Sequence, residues 1–342
     1  MIRTFTRQRR AALLLAPALL IGLAACGKDS KDTAVVAETT ASAAETTAAP
    51  AAETTAAIAA ETTETAASTA ADSAAAATPD TTAVAPVVPA ISATCSKDKL
   101  ALKTGGTLTI GTDSPAFPPW FSDDTPSNGK GFEGAVAAAV AETLGFTGTE
   151  VKWIKVPFNS SFAPGKKDFD FDINQISITA ERKATVDFSD GYFDVNQAVV
   201  ALKDSSAVSA KTVADLAKLK FGVQQGTTSL QFVTDVVKPS AEPFVYSTNN
   251  DAKAALAAKQ IDAIVLDLPT AFYVSSVEIE GSVLVGQFPS QGGAEQFGML
   301  FEKGSTLTPC VNEALAVLKS SGKLAAIQTE QLSTATNAPV FG

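Results

Sequence analysis

Asp251-Ala252-Lys253-Ala254-Ala255-Leu256-Ala257-Ala258-Lys259 is followed, after Gln260, by Ile261-Asp262-Ala263-Ile264-Val265-Leu266-Asp267. The first run is built from Ala, Leu and Lys, which are strong helix formers. The second is almost unbroken apolar sequence and ends on a lone carboxylate. A helix feeding a short continuous apolar strand predicts a sheet covered on both faces. Ligands in such α/β layers bind beyond strand ends, which makes Asp267 a candidate site residue by position alone.

The same alternation runs outward in both directions. Toward the N-terminus, Leu108 to Gly111 reads as a strand, and Gly134 to Leu144 as a helix with Val136, Val140 and Leu144 on one face. Val151 to Val156 alternates as a strand, and Phe171 to Asn174 is strand-like. Thr179 caps a helix start at Ala180-Glu181-Arg182, and Gln197 to Leu202 is a strand. Thr212 to Leu219 reads as a capped helix, Lys220 to Gln224 as a strand, and Gly226-Thr227-Thr228-Ser229 as the opening of a further helix. Beyond Asp267, Gly298 to Phe301 reads as a strand and Cys310 to Ser320 as a helix. The pattern predicts an α/β protein with buried, largely parallel sheets.

The N-terminal part of the 342-residue chain cannot join these layers. Arg3, Arg7, Arg9 and Arg10 precede an apolar run, Ala11 to Leu23, which is too short for a permanent membrane span. Leu23-Ala24-Ala25-Cys26 then resembles a bacterial lipobox, in which Cys26 becomes the lipid-modified first residue. From Gly27 to about Thr94 the chain is dominated by Ala, Thr and Glu, with Ala-Glu-Thr-Thr at 37–40, 44–47, 52–55 and 60–63. Without aromatic residues this stretch has little from which to build a core, and it reads as a disordered tether or a patchily helical stalk. The expected division is a signal peptide at 1–25, a lipid-anchored low-complexity linker at 26–94 and a folded domain at 95–342.

Composition narrows the function further. The net charge of −10 argues against nucleic acid and against electrostatic attachment to anionic lipid. The absence of histidine excludes a Ser-His-Asp triad, a Cys-His dyad and His-ligated zinc. Cys26 is taken by the lipid, so Cys95 and Cys310 remain in an oxidising compartment and are expected to pair.

Three polar clusters stand at strand ends: Gly111-Thr112-Asp113 through Trp120, Asn174 through Arg182, and Gln225 through Ser229. Together with Asp267 they answer the needs of an amino-acid zwitterion. Arg182 offers a planar fork for a carboxylate. The N–H groups opening the helix at Thr227 to Ser229 form an anion site, and Ser177 offers a backbone or hydroxyl donor. Asp267 offers the charge an ammonium requires. Phe117, Trp120 and Phe158 are candidate apolar walls. Each has a plainer reading: Thr179 as a cap, Asp113 in an Asx-turn, Arg182 in a surface ion pair. Their joint order at strand ends favours the site.

At this point residues 106–330 resemble family 3 of the bacterial extracellular solute-binding proteins, the polar amino-acid binders of ABC importers. The resemblance rests on Gly111-Thr112-Asp113 with Pro118-Pro119-Trp120, Gly131-Phe132-Glu133, Ser177-Ile178-Thr179 with Glu181-Arg182, Val186 through Tyr192, Gly226-Thr227-Thr228, and Ile261-Asp262-Ala263 with Asp267. It implies a two-lobed periplasmic-binding-protein type II fold with two crossing strands, placed near Phe193–Gln197 and Gln287–Gly293. One lobe then spans about 96–194 and 291–342, the other about 195–290. It implies that Arg182 clamps the ligand carboxylate with Ser177 and Thr228, that Asp267 holds the ammonium, and that Asp113 reaches the ligand side chain. An extra residue near Ala116 leaves open whether Ala116 or Phe117 faces the ligand. Asn174, Gln175 and Asn159 suggest a polar side-chain pocket, and Glu133 is either an acid in the site or a structural residue.

The expected protein is a monomer without cofactor or metal that passes an amino acid to ABC permease subunits and meets the membrane through its lipid alone. The rival readings are a cyclohexadienyl-dehydratase-like enzyme using Glu133 or Asp113 as acid, a ligand-sensing receptor subunit, and a wall-associated structural protein.

Overall fold

The computed structural model describes residues 90–288, 293–332 and 338–342. The expected signal peptide, Cys26 and almost all of the linker lie outside the described residues. Contacts with the folded body begin slightly before the expected start: Ile91 packs on the core, and Ser92 donates from N and Oγ to Glu313.

Twelve strands and eight α-helices follow in chain order among the described residues. The first group is β1 (Leu108–Thr112), α1 (Phe132–Thr143), β2 (Val151–Lys155), α2 (Phe158–Ser161), β3 (Phe171–Asp172), α3 (Ala180–Thr185) and β4 (Val186–Phe188). The chain then leaves through β5 (Phe193–Val195) into β6 (Gln197–Leu202), β7 (Phe221–Gln224), α4 (Thr228–Phe232), β8 (Phe244–Tyr246), α5 (Asn249–Ala257), β9 (Ala263–Asp267), α6 (Leu268–Tyr273) and β10 (Ser282–Gln287). It returns through β11 (Glu295–Phe297) to β12 (Leu300–Glu302), α7 (Thr308–Ser320) and α8 (Lys323–Leu332).

Two five-stranded sheets result, one in each lobe, ordered β2-β1-β3-β12-β4 and β10-β6-β9-β7-β8. In each, four strands run the same way and one runs against them: β12 is antiparallel to its neighbours β3 and β4, and β6 to its neighbours β9 and β10. The sheets are therefore mixed rather than wholly parallel. The reason is connectivity. β6 and β12 are the strands that arrive from the other lobe, and they do not follow a helical crossover within their own sheet. Between the sheets, β5 and β11 pair antiparallel, with Phe193 opposite Phe297 and Val195 opposite Glu295. The first crossing falls where the sequence placed it; β11 begins two residues past the expected second crossing.

The unbroken apolar strands are explained by burial on both faces. Along β9, Ala263 and Val265 enter one core cluster while Ile264 and Leu266 enter another; β6 divides Val199 and Ala201 from Ala198 and Val200 in the same way. The helix at Thr212–Leu219 forms as a 3-10 helix, Val213–Lys218, with Thr212 as its cap. In α1, Phe132, Val136, Ala137 and Val140 are buried, and Gly131 precedes them at φ 79°. A Cβ at Gly131 would lie 2.5 Å from the Trp120 carbonyl oxygen, so the close approach of this loop requires glycine.

The chain end departs from expectation. Residues 338–342 pack on the second lobe: the Phe341 N–H donates to the Gln287 carbonyl, the Gln287 N–H donates to the Pro339 carbonyl, and the Phe341 ring lies 5.1 Å from that of Phe288. The Phe341 ring finds an apolar socket there that composition alone did not reveal. The expected assignment of everything after 291 to the first lobe is corrected on this point.

Cys95 and Cys310 form a disulfide with their Cα atoms 5.3 Å apart, closing a separation of 215 residues. It ties the first described turn to α7. Replacing both cysteines by serine should lower the unfolding free energy by about 2–4 kcal/mol. Urea denaturation without reductant measures this, and an unmoved midpoint would refute it.

Candidate functional site

All ten residues expected to bind ligand line a single cleft. Asp113 directly follows β1, and Phe117 and Trp120 lie on the loop beyond it. Phe158 opens α2. Asn174, Gln175 and Ser177 lie between β3 and α3, and Arg182 is in α3. These come from the first lobe. Thr228 opens α4 and Asp267 ends β9, both in the second lobe. Thus the guanidinium and the carboxylate of the expected clamp approach one space from opposite halves.

Arg182 is 7% exposed. The Thr179 hydroxyl caps its helix by accepting from the Arg182 N–H, which fixes where the side chain leaves the backbone. Nη1 donates to the Ser177 carbonyl at 2.7 Å, and Nη2 donates across the cleft to the Gly226 carbonyl at 2.9 Å. The guanidinium stacks on Phe162 at 4.7 Å and lies 5.6 Å from Phe158, so the aromatic pair holds its plane. Among the described residues, two of its five N–H groups are engaged, leaving three for a ligand. Burial pulls the group down from its ordinary pKa, while Glu295 and Asp267 oppose that shift. Gly226 has φ 72°, and a side chain there would strike Asn159, so the carbonyl meets Arg182 only because the residue is glycine.

At the hinge end stands Glu295, which the sequence reading missed. Its Oε1 accepts from Ser177 Oγ at 2.5 Å and from Thr228 Oγ1 at 2.6 Å. Gln197 Nε2 donates to Glu295 Oε2 at 3.1 Å and to Asp267 Oδ1 at 2.8 Å. Of the two donors expected of Ser177, the hydroxyl is engaged by the Glu295 carboxylate, while the backbone N–H has no partner among the described residues. Burial, then the charge of Glu295, pushes the Asp267 carboxyl up to about 8, against the pull of Gln197 and Arg182.

The floor is a buried polar layer. Glu133 is fully buried and accepts from the Gln175 N–H at 2.7 Å, from the Gln175 side-chain amide and from the Tyr192 hydroxyl. It thereby holds Gln175 in the left-handed region at φ 48°, a costly conformation for a residue with a side chain. Glu133 lies beneath the cleft wall, behind Gln175, and is not among the residues lining the cleft. Burial raises its carboxyl to about 7 despite those three hydrogen bonds. Both oxygens of buried Asp172 lack hydrogen-bond partners among the described residues, and burial drives its pKa well above the ordinary aspartate value, with Glu133 and Asp113 adding to the effect. Asn174 lines the cleft, and its Nδ2 has no hydrogen-bond partner among the described residues, which leaves a donor for a ligand side chain.

The remaining expectations resolve as follows. Phe117 faces the cleft, and Ala116 is buried. Trp120 touches the cleft but is chiefly core: it is fully buried and makes edge contacts with Phe132, Phe193 and Phe297. Its Nε1 donates across the lobes to Thr270 at 2.8 Å. Asp113 lines the cleft, and its oxygens accept from the Ser114 and Phe158 N–H groups. Asn159 is not on the wall. Besides Glu295, sequence reading missed Gln224, Lys253 and Glu278. Gln224 ends an apolar strand and could have been found by the reasoning that found Asp267. Lys253 lies on an ordinary polar helix face, yet its ammonium sits 4.8 Å over Phe117 and 2.7 Å from Glu278. No cluster able to hold a metal ion occurs among the described residues.

The raised Glu133 carboxyl carries a signed prediction. A group whose folded pKa lies above its ordinary value stabilises the fold fully below that value, 4.5, and loses this contribution as pH rises through about 7. Glu133→Gln should remove about 3 kcal/mol of the decline in unfolding free energy between these limits. The Gln175 amide can flip to meet the new side chain. Denaturation at pH 5 and pH 8 tests this; equal declines in both proteins would contradict it.

The chain is similar to known amino-acid-binding proteins. An L-arginine-binding protein of Pseudomonas aeruginosa is 29% identical over 252 residues, covering 68% of this chain and 94% of that protein. The arginine-binding extracellular protein of Bacillus subtilis is 26% identical over 249 residues, covering 70% of this chain and 92% of the relative. The solved structure of an ancestral arginine-binding protein bound to arginine superposes with a TM-score of 0.56 at 34% identity, covering 66% of this chain and 98% of that one. An ancestral amino acid-binding protein described as a precursor of cyclohexadienyl dehydratase superposes with a TM-score of 0.56 at 30% identity, covering 66% and 95%. A family model matches residues 108–333, and the chain belongs to the bacterial extracellular solute-binding proteins, family 3.

Proposed function

We propose that this chain captures a free amino acid with a polar side chain in the cleft between its lobes and presents it, outside the cytoplasm, to an ABC importer. The observation that carries the reading is that Arg182 and Asp267 line one cleft from opposite lobes. A zwitterion satisfies both at once, so it stabilises the closed state over any open one, and the importer can read that population shift. The polar floor at Asn174 and Gln175 suits a side chain able to hydrogen-bond. The relatives named for arginine, histidine, cystine and glutamine support an amino-acid ligand. The lipobox-like Cys26 supports attachment to the outer face of the cytoplasmic membrane, with acyl chains contributing about 0.8 kcal/mol per buried methylene. Among the described residues no helix is long and apolar enough to cross a membrane.

Thermal melting against the common L-amino acids tests the reading. A bound amino acid at about 100 times its Kd should add about 2.7 kcal/mol of stability. A folded protein that responds to none would overturn the proposal.

Two further outcomes are expected. Arg182→Ala should weaken binding by about 2–5 kcal/mol, because it strands the ligand carboxylate in a desolvated site. Titration calorimetry measures the loss, and a variant that binds as tightly as the parent would contradict it. Without ligand, Asp267 holds its proton up to about pH 8; an ammonium beside it favours the ionised form. Binding at pH 7 should therefore release a proton, and affinity should rise with pH toward 8. Calorimetry in buffers of differing ionisation enthalpy counts the proton, and proton uptake would contradict the assignment.

A further inference from the structure

Glu295 occupies an unusual position for a carboxylate. It lies on β11, one of the two paired connecting strands, yet its Oε1 gathers hydroxyl groups from both lobes. Ser177 Oγ and Thr228 Oγ1 are 3.3 Å apart, each close enough to donate to the other. A hydroxyl has only one proton. With both protons directed at Glu295, neither oxygen can donate to anything else, and each turns only lone pairs toward the cleft.

Gln197 completes the arrangement. It is 3% exposed, and its Oε1 accepts from Ser229 Oγ at 2.6 Å, which fixes which end of the amide faces the carboxylates. Its Nε2 then holds Asp267 by one oxygen and Glu295 by one oxygen. Glu295 is also the anion that acts most strongly on Arg182, ahead of Asp267. What remains on offer at this end of the cleft is acceptor surface: the two hydroxyl oxygens, joined by the free oxygen of Asp267 once its carboxyl gives up its proton to the solvent. A primary ammonium has three N–H donors and no acceptor.

We infer that Glu295 is a specificity-determining positioning residue, which converts the Ser177 and Thr228 hydroxyls into acceptors and so makes a primary ammonium, and not merely a carboxylate, a requirement for binding. The inference rests on the amino-acid reading above. It assigns the hydroxyl pair to the ligand's cationic end and leaves the carboxylate to Arg182 and the Ser177 N–H. Substituting Gln for Glu295 would replace an obligate acceptor by an amide that can donate. The hydroxyls would then be free to turn their protons into the cleft, against an ammonium.

The test compares each amino acid with its desamino analogue, which keeps the carboxylate and side chain and loses the ammonium. Suitable pairs are L-arginine with 5-guanidinopentanoate, L-glutamine with 4-carbamoylbutanoate, and L-histidine with imidazolepropionate, titrated into the full chain and its Glu295→Gln variant. The expected result is a loss of about tenfold or more for the amino acid that the parent binds, with the desamino analogue within about twofold of the parent value. Equal losses for both ligands, or no loss for the amino acid, would overturn the inference while leaving the amino-acid reading intact. A parent protein that binds none of the common amino acids would overturn both. If Glu295→Gln gives no cooperative melt, Thr228→Val, which keeps Glu295, carries the same expectation: the amino acid loses affinity and the desamino analogue does not.

Discussion

The structure depends on two ionisable groups kept apart and desolvated in one cleft, the Arg182 guanidinium on one lobe and, on the other, the Asp267 carboxyl, which an ammonium turns into its opposite charge. Removing such groups from water is costly unless each finds a partner. Each has a partial answer without ligand. Arg182 spends two N–H groups on carbonyl oxygens and rests against Phe162, and Asp267 leans on Gln197. Neither answer is complete, which leaves three guanidinium protons and a carboxyl whose burial favours its neutral form. A small dipolar molecule completes both together, and no singly charged molecule can.

The two-lobed fold supplies the geometry for this. Each charge sits just beyond a strand or a cap whose position is fixed by a core: Asp267 at the end of β9, with apolar residues on both faces, and Arg182 three residues after its Thr179 cap. Strands β5 and β11 are the short ribbon between those cores. Contacts that cross the cleft, Arg182 to Gly226 and Trp120 to Thr270, exist only when the lobes are together. They provide part of the closed state's stability and leave the rest to ligand.

Much of this was legible in the sequence because the informative residues stand where the hydrophobic pattern stops. Asp267 ends an apolar strand, Thr179 announces a helix start, and Gly226-Thr227-Thr228 breaks a strand into a helix. The family resemblance then joined these points into one site. What stayed hidden depends on pairing between distant segments. Glu295 lies in a three-residue strand without periodicity, and it reaches Ser177 and Thr228 only because β11 pairs with β5 in one register. Gln197 looked like the first residue of a strand and turned out to orient two carboxylates. Glu133 carried the motif of a site residue yet lies beneath the cleft, supporting Gln175 from behind. Phe341 had no pattern around it at all, and its socket on Phe288 is formed by tertiary packing alone.

The most direct measurement of the central claim is the crystal structure of the protein with its amino acid bound. The account predicts the α-carboxylate within about 3 Å of the Arg182 guanidinium and the α-ammonium within about 3 Å of an Asp267 oxygen, with both lobes in contact with one molecule. A ligand lying with these ends exchanged, or held by one lobe with Arg182 and Asp267 both untouched, would contradict it.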